Sequence, residues 1–315
     1  MAYTIGLDLG GTNSVFGIVD EQGIIHHSVT VKTAGHKDAE SYVNACIDAL
    51  LPIIKEAGGL EVISSMGIGA PNGNINTGSI DFAPNIAWAH TVSVPIAQMF
   101  SEKLGGLAVK VTNDANAAAL GEMKFGAAKG MKNFIVITLG TGVGSGIVCN
   151  GKLVSGSDGM AGELGHMIVK REGGRLCGCG RYGCLETYCS ATGVARTARH
   201  TLKATTQDSL LRKLKPEEID SYQVSLAAQQ GDELAKQIYQ RTGDILGAAC
   251  AEMTVFSSPE AFIFFGGMAK AGELLMAPLR ESYEKNVMPI FKGKAKFLMS
   301  ALDSSNAAVL GAASL

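Results

Sequence analysis

YTIGLDLGGTNSVFGIV, residues 3–19, is the stretch that decides the fold of this chain. Two apolar arms flank the turn-forming run Gly10-Gly11-Thr12-Asn13, and this pattern predicts strands over 3–9 and 14–19. A further apolar run predicts a third strand over 24–31. The N-terminal region is therefore predicted to form a three-stranded meander.

A second copy of this pattern lies further along the chain. Strands are predicted over 134–139, 145–149 and 152–155, and the turn that begins Gly140-Thr141-Gly142 aligns with the first glycine turn. Downstream of each meander, NAAALG at 116–121 resembles NAAVLG at 306–311. Two matches in the same order indicate a duplicated fold.

Later strands are predicted in both halves, over 62–69 and 107–112 in the first and over 261–265 and 295–299 in the second. Strands with helices between them predict α/β domains that carry helices on both faces of each sheet. The second half is longer than the first. Its insertion contains a cysteine cluster and a polar helical stretch near 210–243.

Composition excludes several classes of protein. The 315 residues are enough for one large or two medium domains, and 46% of them are apolar, which supplies a substantial core. The net charge is −2 and no basic stripe is present, so a large nucleic-acid footprint is not expected. No basic leader precedes the acid at position 8, and no apolar run approaches the roughly 20 residues that span a bilayer. We therefore expect a cytoplasmic globular protein without nucleic-acid or membrane partners.

Both glycine turns are candidate phosphate-binding loops, because backbone N–H groups can approach a phosphate where no side chain intervenes. Ordinary glycine hairpins are the alternative for either turn alone. Neither turn is a P-loop, since no Gly-Lys-Ser/Thr follows, and neither is a dinucleotide-binding loop, since each leads into a strand. As a pair on duplicated halves, the turns predict a site that holds a polyphosphate from two sides.

Two carboxylates of the first half have no acidic counterpart in the second. Asp8 stands beside the first glycine turn and suits Mg²⁺, with a capping or solvated aspartate as the alternative. Asp114 stands between a predicted strand and an Ala-rich helix, where helix capping alone would explain it. The duplicated positions are Ile137 and Ser304. Since phosphoryl transfer to an alcohol needs a group that accepts the hydroxyl proton, Asp114 is the candidate base.

Three of the seven cysteines, Cys177, Cys179 and Cys184, lie close together downstream of His166. One imidazole and three thiolates form a closed tetrahedral zinc set, which is structural rather than catalytic. Three reduced structural cysteines are the alternative. The remaining cysteines are expected to fill apolar space: Cys46, Cys149, Cys189 and Cys250.

The chain resembles the ROK family, which contains bacterial glucokinases, other hexose and N-acetylhexosamine kinases, and sugar-responsive repressors. The resemblance runs in order along nearly the whole chain. It is carried by DLGGT at 8–12, NDAN at 113–116, LGTGVGSG at 139–146, GELGH at 162–166 and CGCGRYGCLE at 177–186.

This resemblance implies the actin-like ATPase/hexokinase fold, in which two RNase-H-like α/β domains bind ATP and sugar in an interdomain cleft. The implied domains are 1–115 plus 304–315, and 116–303 with the zinc-binding insertion, so that the C-terminal helix returns to the first domain. A homodimer is expected. The implied sugar contacts are Asn85, Asn113, Asp114, Glu163, His166 and Glu186. The implied nucleotide contacts are Asp8, Gly10, Gly11, Thr12, Asn13, Gly140, Thr141, Gly142, Gly266 and Gly267.

We expect a kinase that uses ATP and Mg²⁺ to phosphorylate the 6-hydroxyl of a free hexose, with glucose first and N-acetylglucosamine or N-acetylmannosamine as alternatives. A sugar-responsive repressor is disfavoured because the first strand begins at Tyr3 and leaves no room for a DNA-binding domain. An actin- or chaperone-like ATPase is disfavoured by the zinc and acidic sugar-binding residues. Two departures from the family pattern bear on which sugar fits, namely Asn72 within Gly69-Ala70-Pro71-Asn72-Gly73 and the segment Ile86-Ala87-Trp88.

Overall fold

The computed structural model describes residues 2–303 and 306–315, so the predicted capping residue Ser304 lies outside the described residues. The first half contains β1 (Tyr3–Leu9), β2 (Asn13–Val19), β3 (Ile25–Lys32), α1 (Ala39–Glu56), β4 (Ile63–Gly69), β5 (Gly73–Asn74), β6 (Ser79–Asp81), β7 (Ser93–Val94), α2 (Ile96–Lys103), β8 (Val109–Thr112) and α3 (Asp114–Phe125). The second contains β9 (Phe134–Leu139), β10 (Val143–Cys149), β11 (Lys152–Leu153), α4 (Glu186–Cys189), α5 (Ala191–Ala204), α6 (Ser221–Gln229), α7 (Glu233–Ser257), β12 (Ala261–Phe265), α8 (Glu273–Asn286), β13 (Lys296–Met299) and α9 (Ala307–Ala312).

Every strand predicted from the sequence is present, and each predicted end falls within two residues of the observed one. Three short strands were not predicted. β5, β6 and β7 form a separate three-stranded sheet, and each has only two or three residues, too few to show a period in the sequence.

The first large sheet has the strand order β3-β2-β1-β4-β8. β1 is antiparallel to β2 and parallel to β4, and β4 is parallel to β8. The register pairs Asp8 with Gly69, and Gly69 with Thr112. The carboxyl ends of β1, β4 and β8 therefore meet at one edge of the sheet, which is the edge where Asp8 and Asp114 lie.

The second large sheet repeats this arrangement in the order β11-β10-β9-β12-β13. β12 is parallel to both β9 and β13, as β4 is parallel to both β1 and β8. The equivalent strand order confirms the duplication predicted from the sequence and the α/β class. Thr138 pairs with Phe265, so the second glycine turn and Gly266 leave the sheet at the same edge.

The chain divides into two compact units. The first comprises Met1–Met131, Gly146–Gly162 and Ala301–Leu315, and the second comprises Lys132–Ser145 and Glu163–Ser300. In the first unit the two repeated helices pack closely, since a Cβ on Gly311 would stand 2.4 Å from the Ala117 backbone oxygen. This division places α3 in the first unit, whereas the boundary expected from the sequence, between residues 115 and 116, falls within the first turn of α3; that boundary stays a prediction. Among the helices of the described residues, none combines the length and apolar character needed to cross a bilayer.

Candidate functional site

The first glycine turn packs against Asn85, for which the family resemblance implies sugar binding. Gly10 N–H donates to the Asn13 carbonyl at 3.1 Å and closes the turn. A Cβ on Gly11 would stand 2.6 Å from the backbone oxygen of Asn85, so only glycine allows this approach. The structure thus brings Gly11 and Asn85 together, although 73 residues separate them in the chain.

Asp114 is the first residue of α3, and it is not the capping residue. Asn113 caps the helix, since its side chain accepts a hydrogen bond from Asn116 N–H at 2.7 Å. The capping alternative for Asp114 is therefore wrong. The Asp114 carboxylate accepts a hydrogen bond from Ala115 N–H at 2.9 Å. It also lies at the N-terminus of α3, where the helix dipole stabilises a negative charge.

Asp8 and Asp114 form a pair of interacting carboxyl groups. Burial, and then the charge of Asp114, raises the pKa of Asp8 from 3.8 to about 6. Burial also raises the pKa of Asp114 above its usual range. Two carboxylates that repel each other at the end of a sheet are stabilised by a divalent cation, and Mg²⁺ prefers such oxygen ligands.

We expect Asp8→Asn to make the Mg²⁺-free protein more stable at pH 8 but not at pH 4. A carboxyl group whose pKa is raised from 3.8 to about 6 binds its proton more tightly in the folded state. Its favourable contribution to folding is therefore present below about pH 4 and is lost as the pH rises through 6. At pH 8 the free energy of unfolding of Asp8→Asn should therefore exceed that of the wild type by about 2–3 kcal/mol. Urea unfolding at the two pH values measures it.

Asp48→Asn is the matched control, because Asp48 is exposed on α1. This control should not change the pH dependence of the unfolding free energy. Equal unfolding free energies of wild type and Asp8→Asn at pH 8 would contradict the raised pKa.

The loop that departs from the family pattern lies at the same sheet edge. Asn72 adopts a left-handed backbone conformation with φ 53°, and its side chain donates to the carbonyls of Asp81 and Phe82. A Cβ on Gly73 would stand 2.2 Å from the Thr112 oxygen, so the loop packs on the end of β8. Asn72 thus has a structural role in shaping the loop beside Asn113.

Trp88, in the second departing segment, is buried. It stacks on Tyr42 with ring centroids 4.8 Å apart, and its indole N–H donates to the Thr33 carbonyl at 3.3 Å. Trp88 therefore anchors the segment that follows Asn85.

The second glycine turn lies beside another predicted sugar-binding residue. Gly140 N–H donates to the Gly142 carbonyl at 3.0 Å, and Glu186 accepts a hydrogen bond from Val143 N–H at 3.2 Å. A Cβ on Gly142 would stand 2.3 Å from the Glu186 carboxylate, so a larger residue at this position would displace that side chain. The first turn of α5 is tied to the same loop, since Ala191 N–H donates to the Gly140 carbonyl.

A cavity of about 520 Å³ opens beside this turn in the second unit. Gly140, Thr141 and Gly267 line it, and Gly266 fits against the Leu139 backbone with φ +105°. We name it the nucleotide cavity, after the nucleotide contacts that the family resemblance implies for Gly140, Thr141 and Gly267. The sequence missed the other lining residues. Five of those come from α6 and from the turn after β12, whose placement is decided only by packing: Tyr222, Ser225, Gln229, Met268 and Lys270.

The four predicted zinc ligands come together. The ligand atoms of His166, Cys177, Cys179 and Cys184 all lie within 4.8 Å of one another. Cys179 Sγ and Cys184 Sγ are 3.7 Å apart, and Cys177 Sγ is 3.6 Å from His166 Nδ1. A tetrahedron with Zn–S distances of about 2.3 Å has edges of about 3.8 Å, so the geometry of these donors fits zinc.

The acidic residues assigned to sugar binding border this cluster. Glu163 Oε2 is 3.9 Å from Nε2 of His166, the ring nitrogen that faces away from the cysteines. Glu186 Oε1 is 3.3 Å from Cys177 Sγ. The second unit therefore groups Glu163, His166 and Glu186, while Asn85, Asn113 and Asp114 lie in the first unit.

Comparison with known proteins gives a consistent result. The ROK family model matches residues 4–315. A glucokinase from Thermotoga maritima is 39% identical and is aligned over 99% of this chain and 96% of its own length. The crystal structure of a ROK family glucokinase from Streptomyces griseus, in complex with glucose and AMPPNP, is 36% identical, with a TM-score of 0.79 over 99% of this chain and 98% of that one. An N-acetylmannosamine kinase from Salmonella arizonae is 27% identical over 85% of this chain and 84% of its own.

Proposed function

Because the chain belongs to the ROK family, we propose that it is an ATP-dependent glucose kinase that transfers the γ-phosphate of ATP to the 6-hydroxyl of glucose. The observation that carries this proposal is the 36% identity, over 99% of the chain, to a glucokinase whose structure holds glucose and AMPPNP. The fold is that of the actin-like ATPases. The chain also has candidate residues for accepting the hydroxyl proton, for binding Mg²⁺, for binding the nucleotide and for binding the sugar.

Asp114 accepts the proton of the attacking hydroxyl. Burial raises the pKa of its carboxyl group, which makes the carboxylate a stronger base than an exposed aspartate. The N-terminus of α3 holds this carboxylate in place through Ala115 N–H. Asn113, which caps the same helix, fixes the backbone on which Asp114 stands.

Asp8 would hold Mg²⁺, directly or through water. When bound, the metal neutralises charge on the phosphate oxygens. The first glycine turn, Gly10 to Asn13, contributes backbone N–H groups beside it. The neighbouring Asp114 carboxylate is one reason why this place favours a cation, since it raises the pKa of Asp8.

The nucleotide cavity receives the adenosine part of ATP. Its volume of about 520 Å³ and its mixed lining, with the Tyr222 ring, the Ser225 hydroxyl and the Lys270 amine, suit a base and a ribose. The glycine turn Gly140-Thr141-Gly142 borders the cavity and is placed to bind phosphate through its backbone.

Glucose is held by carboxylate, imidazole and amide groups, which match the hydroxyl donors and acceptors of the sugar ring. The family pattern implies this role for Glu163, His166, Glu186, Asn85 and Asn113. His166 would bind zinc through Nδ1, which leaves Nε2 for a sugar hydroxyl. The zinc is structural, because the protein supplies all four ligands and leaves no open position. We further propose that the protein is a cytoplasmic homodimer.

N-acetylmannosamine is the second candidate substrate, since a kinase for that sugar is 27% identical over 85% of the chain. A coupled assay of ADP release over glucose, mannose, fructose, N-acetylglucosamine and N-acetylmannosamine tests the proposal. We expect kcat/KM for glucose to exceed that for either N-acetylhexosamine by at least about tenfold, because a pocket fitted to a hydroxyl excludes a larger acetamido group. A higher kcat/KM for N-acetylmannosamine would transfer the assignment to the second candidate. ATP hydrolysis without any sugar dependence would overturn both.

A further inference from the structure

We propose that a cationic cavity in the second unit is a binding site for a phosphomonoester. This cavity has a volume of about 450 Å³ and shares no lining residue with the nucleotide cavity. Its described lining includes no acidic residue. Its basic lining residues come from the segment before the cysteine cluster, from α5 and from α7: Lys170, Arg175, Arg196, His200 and Arg241.

Arg175 lines the cationic cavity, and hydrogen bonds hold its positively charged side chain in place. Its guanidinium group donates to the carbonyls of Thr187 and Gly193 at 2.8 and 3.1 Å, and to the Thr197 hydroxyl at 2.9 Å. It also stacks on the Tyr188 ring, 4.7 Å from the centroid. These contacts hold the Arg175 guanidinium group in one orientation, and none of them is made with a carboxylate that would neutralise its charge.

Arg196 and Arg241 also line the cationic cavity, and both residues are exposed. Both act electrostatically on Arg175, and like charges repel one another. Arg196 donates one hydrogen bond, at 3.3 Å, to the Leu176 carbonyl. Among residues 2–303 and 306–315, no carboxylate forms an ion pair with any of the three arginines. A dianion between them would relieve the repulsion and accept charge-assisted hydrogen bonds from arginine.

The shape and rim of the cavity favour a small phosphate ester over a polyanion. A nucleic acid needs an extended basic surface, whereas this chain has a net charge of −2 and its arginines converge on one concavity. At the rim, Tyr182 and Leu176 are 61% and 53% exposed and offer apolar contact to an organic group attached to the phosphate. A sugar phosphate and free inorganic phosphate share the chemistry that the arginines recognise.

Isothermal titration calorimetry without nucleotide or sugar tests the proposal, with inorganic phosphate in one arm and glucose 6-phosphate in the other. The test variant is Arg196→Gln/Arg241→Gln, which removes two exposed charges and leaves Arg175 in its hydrogen bonds. The control is Lys292→Gln/Lys294→Gln, which removes two exposed charges of the same unit outside the cavity. Neither arm measures kinase activity. A negative result would therefore count against this binding site and would leave the proposed glucose kinase activity untouched.

We expect the wild type and the control to bind phosphate with affinities within about twofold of each other, and the test variant to bind at least about tenfold more weakly. Tighter arginine-dependent binding of glucose 6-phosphate than of phosphate would identify a sugar phosphate as the ligand; equal binding would identify the phosphate group alone. Binding that is the same in the test variant and the control, or no binding of either probe to the wild type, would overturn the proposal.

Discussion

Asp114→Asn is expected to lower kcat by about 10²–10⁴-fold, the range that a positioned general base contributes. Asparagine has nearly the same shape, but it cannot accept the hydroxyl proton. Glucose and ATP binding should persist, because the Ala115 N–H can donate to the amide oxygen of asparagine as it does to the carboxylate. Steady-state kinetics measures kcat, and calorimetry with glucose and AMPPNP measures binding.

Asp48→Asn on the exposed face of α1 removes the same charge outside the site and should leave kcat unchanged. A second observation separates loss of the base from a structural defect. Burial raises the pKa of Asp114, so wild-type kcat should fall on acidification as this carboxylate is protonated. The residual activity of Asp114→Asn should depend less steeply on pH in the acid range, since only Asp8 then remains to be protonated. If the variant keeps more than a few per cent of kcat, Asp114 is not the base.

Removal of zinc is the second large effect that we expect. Metal analysis should find about one zinc per chain, bound by one imidazole and three thiolates. Changes in groups that only support a metal ligand cost 10–100-fold in affinity, so the loss of a direct ligand in Cys177→Ser should weaken zinc binding by at least about 100-fold. Since metal binding contributes to folding, we expect the melting temperature to fall by roughly 5 °C or more, the shift that about 2 kcal/mol produces in a domain of this size.

Cys149→Ser is the matched control, because Cys149 lies in β10 outside the cluster and is only half-buried. This control should keep its zinc. The zinc-depleted protein should also bind glucose more weakly, since bound zinc would hold the ring of His166 in one orientation. A zinc-free preparation with full stability and full activity would refute the structural role.

Local features of the fold were predictable from the sequence. The strands β1, β9 and β12 were predicted with their observed bounds, because apolar runs between glycine turns depend on neighbouring residues alone. β5 and β7 were not predictable, since two residues carry no period. The capping role that stood as the alternative for Asp114 belongs to Asn113, because both residues are good caps and only the backbone conformation distinguishes them.

The sequence by itself indicated the duplication, the two glycine turns, the set of one histidine and three cysteines, and the carboxylate that only the first half contains. Each of these is a matter of residue type and spacing. The tertiary structure alone decided which distant residues meet: Gly11 with Asn85, Gly142 with Glu186, and Arg175 with Arg196 and Arg241. The physical reason is that such contacts depend on how helices and loops pack on the two sheets. Packing is set by the shape of the whole core, and no local pattern records it.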